Sequence, residues 1–166
     1  MITIIAGTNR KDSNTKKVAE AYQKILTQKN IESKILKLEE AEVHHRNESF
    51  IAMEKDYLLA AEKMIVVIPE YNGSFPGILK LMIDNTDVKN VWPNKKVLLV
   101  GVSTGRAGNL RGMEHLTGVL LYLKANVHHN RLPISTVHTL LGDDGTLTDE
   151  PTTNTINAQV DEFLQF

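Results

Sequence analysis

The chain lacks cysteine altogether, carries one tryptophan and has little aromatic residue of any kind, at 5%. Without cysteine there is no disulfide framework, no thiolate nucleophile and no cysteine-ligated metal, and a cytoplasmic location is the expectation. Charge of one sign is also missing. Nineteen Lys and Arg stand against twenty Asp and Glu, for a net charge of −1. The two signs are interspersed, which gives neither the basic footprint of a nucleic-acid binder nor a polybasic membrane patch. No apolar run approaches the roughly 20 residues that cross a bilayer, and the strand pattern begins at Ile2 with no leader-like segment before it. At 166 residues, the chain has the size of one ordinary domain with a full core, and residues 1–166 are read as one unit.

What is present is an alternation of strand-like and helix-like segments. Five helical stripes are legible: Val18, Tyr22, Ile25 and Leu26; Ile51, Glu54, Leu58 and Ala61, flawed by the charged Glu54; Ile78, Leu79, Met82 and Ile83; Leu116, Val119, Leu120 and Leu123; and Ile156, Val160, Phe163 and Leu164. Asp149 or Glu150, just ahead of Pro151, is a natural start for the last. The strands fall into two classes. Ile2–Ala6, Met64–Ile68 and Val97–Val102 are almost continuously apolar, as strands covered on both faces are. Those around Ser33–Leu38 and Val127–Leu132 carry Lys34, Lys37, His128, His129 and Arg131, and belong at edges. These features predict an α/β, flavodoxin-like three-layer sandwich: a five-stranded parallel sheet of order 2-1-3-4-5 with helices on both faces.

Each central strand ends in a segment suited to close backbone approach: GTNRKDSNT, PEYNGSFPG and GVSTGRAGN. In the predicted order these converge on one rim, beside the point where the winding reverses and α/β folds bind ligands. In the first, Gly7 brings the backbone near, while Thr8, Arg10, Ser13, Asn14 and Thr15 supply donors ahead of a helix whose amino end favours anions. A terminal phosphate fits that set, and Arg10 adds a forked contact. The same residues also read as a simple helix cap with a solvated arginine. The Walker A and dinucleotide fingerprints are both absent. In the second, Pro69, Glu70, Tyr71, Asn72 and Gly73 offer amides and backbone to the polar edge of a heterocycle; in the third, Ser103, Thr104 and Gly105 leave room for a flat ring. The leading expectation is bound flavin mononucleotide (FMN).

These three motifs, with the second extended through PGILKLMID and the third through NLRG, resemble the NADPH-dependent FMN reductase family of flavodoxin-like proteins. The resemblance implies that Thr8, Arg10, Ser13, Asn14 and Thr15 hold the FMN phosphate, that Pro69–Gly73 line one side of the isoalloxazine and that Ser103–Gly105 line the other. It further implies NADPH or NADH as co-substrate, a homodimer or homotetramer, and a small electron acceptor such as a quinone, azo compound, oxidised metal or free flavin. The chain departs from the family at Leu81 and Met82, where many members have asparagine and alanine. No catalytic acid, base or nucleophile is assigned, because positioning is what a flavin reductase requires of its protein. Arg106 and Arg111 are candidates for seating the NADPH phosphates.

Other readings are weaker. Flavodoxin-type electron carriers are usually markedly acidic, and this chain is balanced. A receiver domain needs carboxylates where this chain has Ala6, Gly7, Pro69 and Glu70, and Ser74 and Ser103 lack a nucleophile elbow. A regulatory flavin-binding protein is not distinguishable from a reductase by sequence. No metal site is expected, since His128 and His129, adjacent on a strand, should point to opposite faces and His44 and His45 have no partners. Trp92 is read as packing a connector.

Overall fold

A computed structural model describes all of residues 1–166. Its sheet contains β1 (Ile2–Ala6), β2 (Ser33–Lys37), β3 (Lys63–Pro69), β4 (Lys96–Val102), β5 (Asn126–Val127) and β6 (Leu132–Ile134). The path is β2-β1-β3-β4-β5, all pairs parallel, with β6 also paired to β4. This is the predicted order.

The apolar strands explain it. Every residue of β1 and β3 is buried, and in β4 only Lys96 is partly exposed. Alternate side chains go to opposite faces. Met64, Val66 and Ile68 join one core with Phe50, Leu79, Met82, Trp92, Met113 and Leu116. Ile65 and Val67 join the other with Val18, Tyr22, Leu26, Ile156, Val160 and Phe163. Helices α1 (Asn14–Gln28) and α5 (Glu150–Gln165) therefore cover one face. The other face is covered by α2 (Glu48–Met53, continued by a π-helical turn Glu54–Leu59), α3 (Gly77–Asn85) and α4 (Leu110–Tyr122). The last helix starts as its sequence suggests: the Asp149 carboxylate accepts the Thr152 N–H at 2.9 Å, and Pro151 sits in the first turn, where no donor is lost. Trp92 is buried and donates its indole N–H to Thr86 Oγ1 at 2.8 Å.

Three sequence expectations change in detail. The second helix presents Phe50, not Ile51, to the core: Asn47 accepts the Phe50 N–H at 2.9 Å and fixes the phase, leaving Ile51 47% exposed. Glu54 stays in the stripe, buried, because Arg46 grips its two oxygens at 2.9 and 2.7 Å and the Asp87 N–H also donates to it. A charge on an apolar stripe is tolerated when it is paired in this way. The fifth strand is two short pieces separated by His128–Arg131. That interruption abolishes strict alternation, so the His128 and His129 rings lie 4.6 Å apart, not on opposite faces. With Glu162 they bring ligand-type atoms within 4.8 Å of one another, but His128 Nδ1 already accepts the Asn130 N–H, and Glu162 accepts the Asn130 side-chain amide at 2.7 Å.

Candidate functional site

The loops following β1, β3 and β4 leave the sheet side by side because each continues the ladder by one bond. Gly7 donates to the Val67 carbonyl, Glu70 to Val102 and Ser103 to Ile134, at 2.9, 2.9 and 3.0 Å. Loops distant in sequence are thus pinned to one rim before any side chain acts.

In the first loop Ser13 is the N-cap of α1, accepting the Lys16 N–H at 3.2 Å. The N–H groups of Asn14 and Thr15 receive no protein carbonyl, as is usual for a first helical turn, and they face the same end of the helix as its partial positive charge. Thr8 is buried; its hydroxyl lies 2.5 Å from the Tyr71 hydroxyl and accepts the Arg10 N–H at 3.2 Å. The Arg10 guanidinium lies over the Tyr71 ring, 4.1 Å from its centroid. Six ion pairs hold Lys16, Lys29, Lys37, Arg46, Lys80 and Arg131, so no carboxylate of the protein claims Arg10.

The second loop is a tight turn. Tyr71 and Ser74 exchange both backbone hydrogen bonds, at 2.9 and 3.1 Å, around Asn72 and Gly73 at φ +52° and +74°. Two consecutive positive φ values are the mark of a type I′ turn, for which Asn-Gly is the preferred pair. Arg111 lies across this turn, its Nη1 within 3.1 Å of where a Gly73 side chain would begin, and His115 Nδ1 is 2.9 Å from Ser74 Oγ.

The third loop is held from inside. Ser103 Oγ donates to the Gly105 carbonyl at 2.9 Å and accepts the Gly108 N–H at 3.0 Å. A side chain on Gly108, at φ +54°, would meet Pro133 at 2.6 Å, so only glycine lets the loop turn there. Asn109, fully buried and left-handed at φ +60°, caps α4 through Gly112 and donates to the carbonyls of Ile68 and Pro69 at 3.1 and 2.8 Å. One amide therefore ties the third loop to the root of the second.

Between the loops is a cavity of ≈ 300 Å³. Arg10, Ser13, Asn14 and Thr15 line it from the first loop, Pro69, Glu70 and Tyr71 from the second, and Ser103 and Thr104 from the third. Four of the residues singled out by sequence stand outside the lining. Thr8 lies beneath it, bonded to Tyr71; Asn72 and Gly73 form the turn beside it; Gly105 supports the third loop, accepting the Thr136 N–H at 2.9 Å. Sequence reasoning missed Val102 and Val137 as apolar lining, and it missed Asn109 as the internal strut. Asparagine directly before the fourth helical stripe was a capping signal for Asn109; nothing local marks Val137.

A larger cavity, ≈ 410 Å³, lies between α1 and the Asp144–Leu147 turn. Its Lys16, Lys17 and Lys24 are offset by Asp12, Glu20 and Asp144, and neither an arginine nor an aromatic ring lines it. The crevice between the three loops is the one with an uncommitted arginine, an exposed helix amino end and an aromatic ring. These donors suit an anionic tail, and the polar backbone of the second and third loops suits the edge of a planar heterocycle; the residues fit FMN.

A doubly wound parallel sheet with its site at the switch between β1 and β3 defines a flavodoxin-like nucleotide-binding protein. Residues 1–139 match the NADPH-dependent FMN reductase family, and the chain belongs to it. A 2-hydroxy-1,4-benzoquinone reductase from Burkholderia is 36% identical over 72 residues, which cover 42% of this chain and 39% of that protein. A quinone reductase from Pseudomonas putida is 28% identical over 99% of this chain and 93% of its own length. Among solved structures, FerB, a flavoenzyme NAD(P)H:(acceptor) oxidoreductase from Paracoccus denitrificans, superposes with a TM-score of 0.85 at 24% identity, covering 99% of this chain and 94% of that one. No helix is long and apolar enough to cross a membrane.

Proposed function

We propose that this protein is an FMN-dependent NAD(P)H oxidoreductase that reduces a small acceptor, with quinones the favoured class. The observation that carries the reading is the convergence on one crevice of an unpaired Arg10, the amino end of α1 and Tyr71, which the Asn72–Gly73 turn beside the crevice holds in place. Family membership and the reductases that the chain resembles support it. Arg10, Ser13, Asn14 and Thr15 would hold the phosphate; Pro69 through Gly73 and Ser103 through Gly105 would flank the ring, with Thr8 acting from below through Tyr71. When bound, FMN supplies the capacity to accept a hydride and to pass on one or two electrons.

The protein's own contribution is orientation. Neighbouring ladder bonds, the Asn109 strut and the closed turn fix the crevice walls, and a preset geometry makes the reaction effectively unimolecular, an advantage of up to roughly 7–11 kcal/mol in well-oriented systems. Arg106 and Arg111, exposed and outside every ion pair, are placed to meet the phosphates of an incoming NADPH. We read the active form as a homodimer or homotetramer in the cytoplasm, in keeping with the absence of cysteine.

The test is spectroscopic. The purified protein, reconstituted with FMN and mixed anaerobically with NADPH or NADH, is expected to bleach in its visible band and recover on addition of a benzoquinone. Bound flavin that neither nucleotide reduces would overturn the reductase reading. Arg106→Ala and Arg111→Ala are expected to raise KM for NADPH with kcat little changed.

A further inference from the structure

We propose that Tyr71 is a positioning residue: it presets Arg10 for a phosphate and thereby makes the site choose phosphorylated over unphosphorylated flavin. The inference rests on the FMN reading above and adds how selectivity arises. Arg10 and Tyr71 stand on different loops, and they meet only because β1 and β3 are neighbours. The tyrosine is fixed at both ends. Its backbone is locked to Ser74 in both directions, and its hydroxyl is within 2.5 Å of the buried Thr8 hydroxyl, which also accepts the Arg10 N–H.

The guanidinium lies over the ring, 4.1 Å from the centroid. A guanidinium resting on a ring engages it through charge and surface contact, and its N–H donors, which receive no acceptor from the protein, are what a phosphate would meet. An exposed arginine would otherwise sample many rotamers and lose that freedom on binding. Here the contact with the ring holds the side chain at the crevice, beside Ser13, Asn14 and Thr15, and no protein carboxylate lies within ion-pairing distance of it. Thr8 thus acts as a shared pin for the arginine's backbone and for the ring on which its side chain rests.

The experiment is a binding comparison between FMN and riboflavin, which share the ring system and differ in the phosphate. Loss of ring contact at Tyr71 weakens both ligands equally and cancels in the ratio of their dissociation constants; loss of phosphate positioning does not. Tyr71→Leu is expected to lower the preference for FMN roughly 5- to 20-fold, in the range of a cation–π contact. Tyr71→Phe, which keeps the stack and loses the Thr8 contact, should lower it about 2- to 5-fold, and Thr8→Val should match it. In the Arg10→Ala background, Tyr71→Leu should change the ratio no further. If Tyr71→Leu and Tyr71→Phe both keep the wild-type ratio, or if the Arg10 and Tyr71 effects simply multiply, the inference is overturned while the FMN reading stands. A wild-type protein that binds FMN no better than riboflavin overturns the phosphate seat itself.

Discussion

The two ends of the sheet treat their polar groups in opposite ways. At the amino ends of the strands, cations are consumed by the fold. Lys63 donates to the carbonyls of Phe163 and Leu164 at 2.9 and 2.7 Å, closing the end of α5, and Lys95 donates to Leu58 at 3.0 Å and also to Ala61, closing the π-helical turn. Burial pushes the pKa of both lysines down. At the carboxyl ends, Arg10 has no acidic partner and the first N–H groups of α1 have no carbonyl. Satisfied polar groups hold the structure; converging unsatisfied ones are available to a ligand.

Variants can break this contrast. The largest effect is expected at Asn109, which belongs to the rim with the crevice yet is fully satisfied inside the protein. Asn109→Ala removes the amide bonds to the carbonyls of Ile68 and Pro69 and forces alanine into a left-handed conformation, for a loss of about 3 kcal/mol in chemical denaturation together with weakened FMN binding. Asn109→Gly, which accepts φ +60° but lacks the amide, should recover about 1 kcal/mol of that.

Next in size, Arg10→Ala removes a charged hydrogen-bond donor to the phosphate. FMN dissociation constants from flavin fluorescence should rise roughly 10- to 100-fold while the melting temperature of the ligand-free protein stays put. Lys63→Met is the converse. Losing two bonds to the end of α5 should cost about 1–2 kcal/mol in denaturant unfolding and leave FMN affinity unchanged. A drop in FMN affinity there would erase the distinction between the two rims.

The smallest effect concerns His128, buried at the amino-end rim with its ring edge-on to Phe163 and Phe166. Burial pulls its pKa below the ordinary 6.5, reinforced by His129 and Lys63, while a backbone hydrogen bond with Asn130 and the Glu162 carboxylate act the other way. The unfolded chain then binds the proton more readily than the folded one. Stability is therefore full above about pH 6.5 and declines as pH falls below it, until the folded state also protonates. Melting curves at about pH 7.5 and about pH 5.5 should show this drop, and His128→Asn should reduce it.

Much of this was legible in the chain because it depends on local pattern. The unbroken burial of Ile2–Ala6 and Lys63–Pro69 follows from their apolar runs, and the edge position of β2 from Lys34 and Lys37. The donor loop before α1 and the Asn72–Gly73 turn announced themselves through residue types that serve few other purposes there. Harder to read was anything set by phase or by an interruption. Ile51 and Phe50 differ by one position on a short helix, and the Asn47 cap decided between them. The break at His128–Arg131 brought together two rings that regular alternation would have parted.

The sequence by itself determined the succession of elements, which strands lie inside, and that three loops at their ends are rich in donors and short of side-chain bulk, because hydrophobic period and turn chemistry act over a few residues. Only the tertiary structure decided that Arg10 rests on Tyr71, that Thr8 lies beneath both, and that Asn109 binds one loop to the root of another. Those contacts join residues about 40 to 60 positions apart, and strand order alone places them within reach.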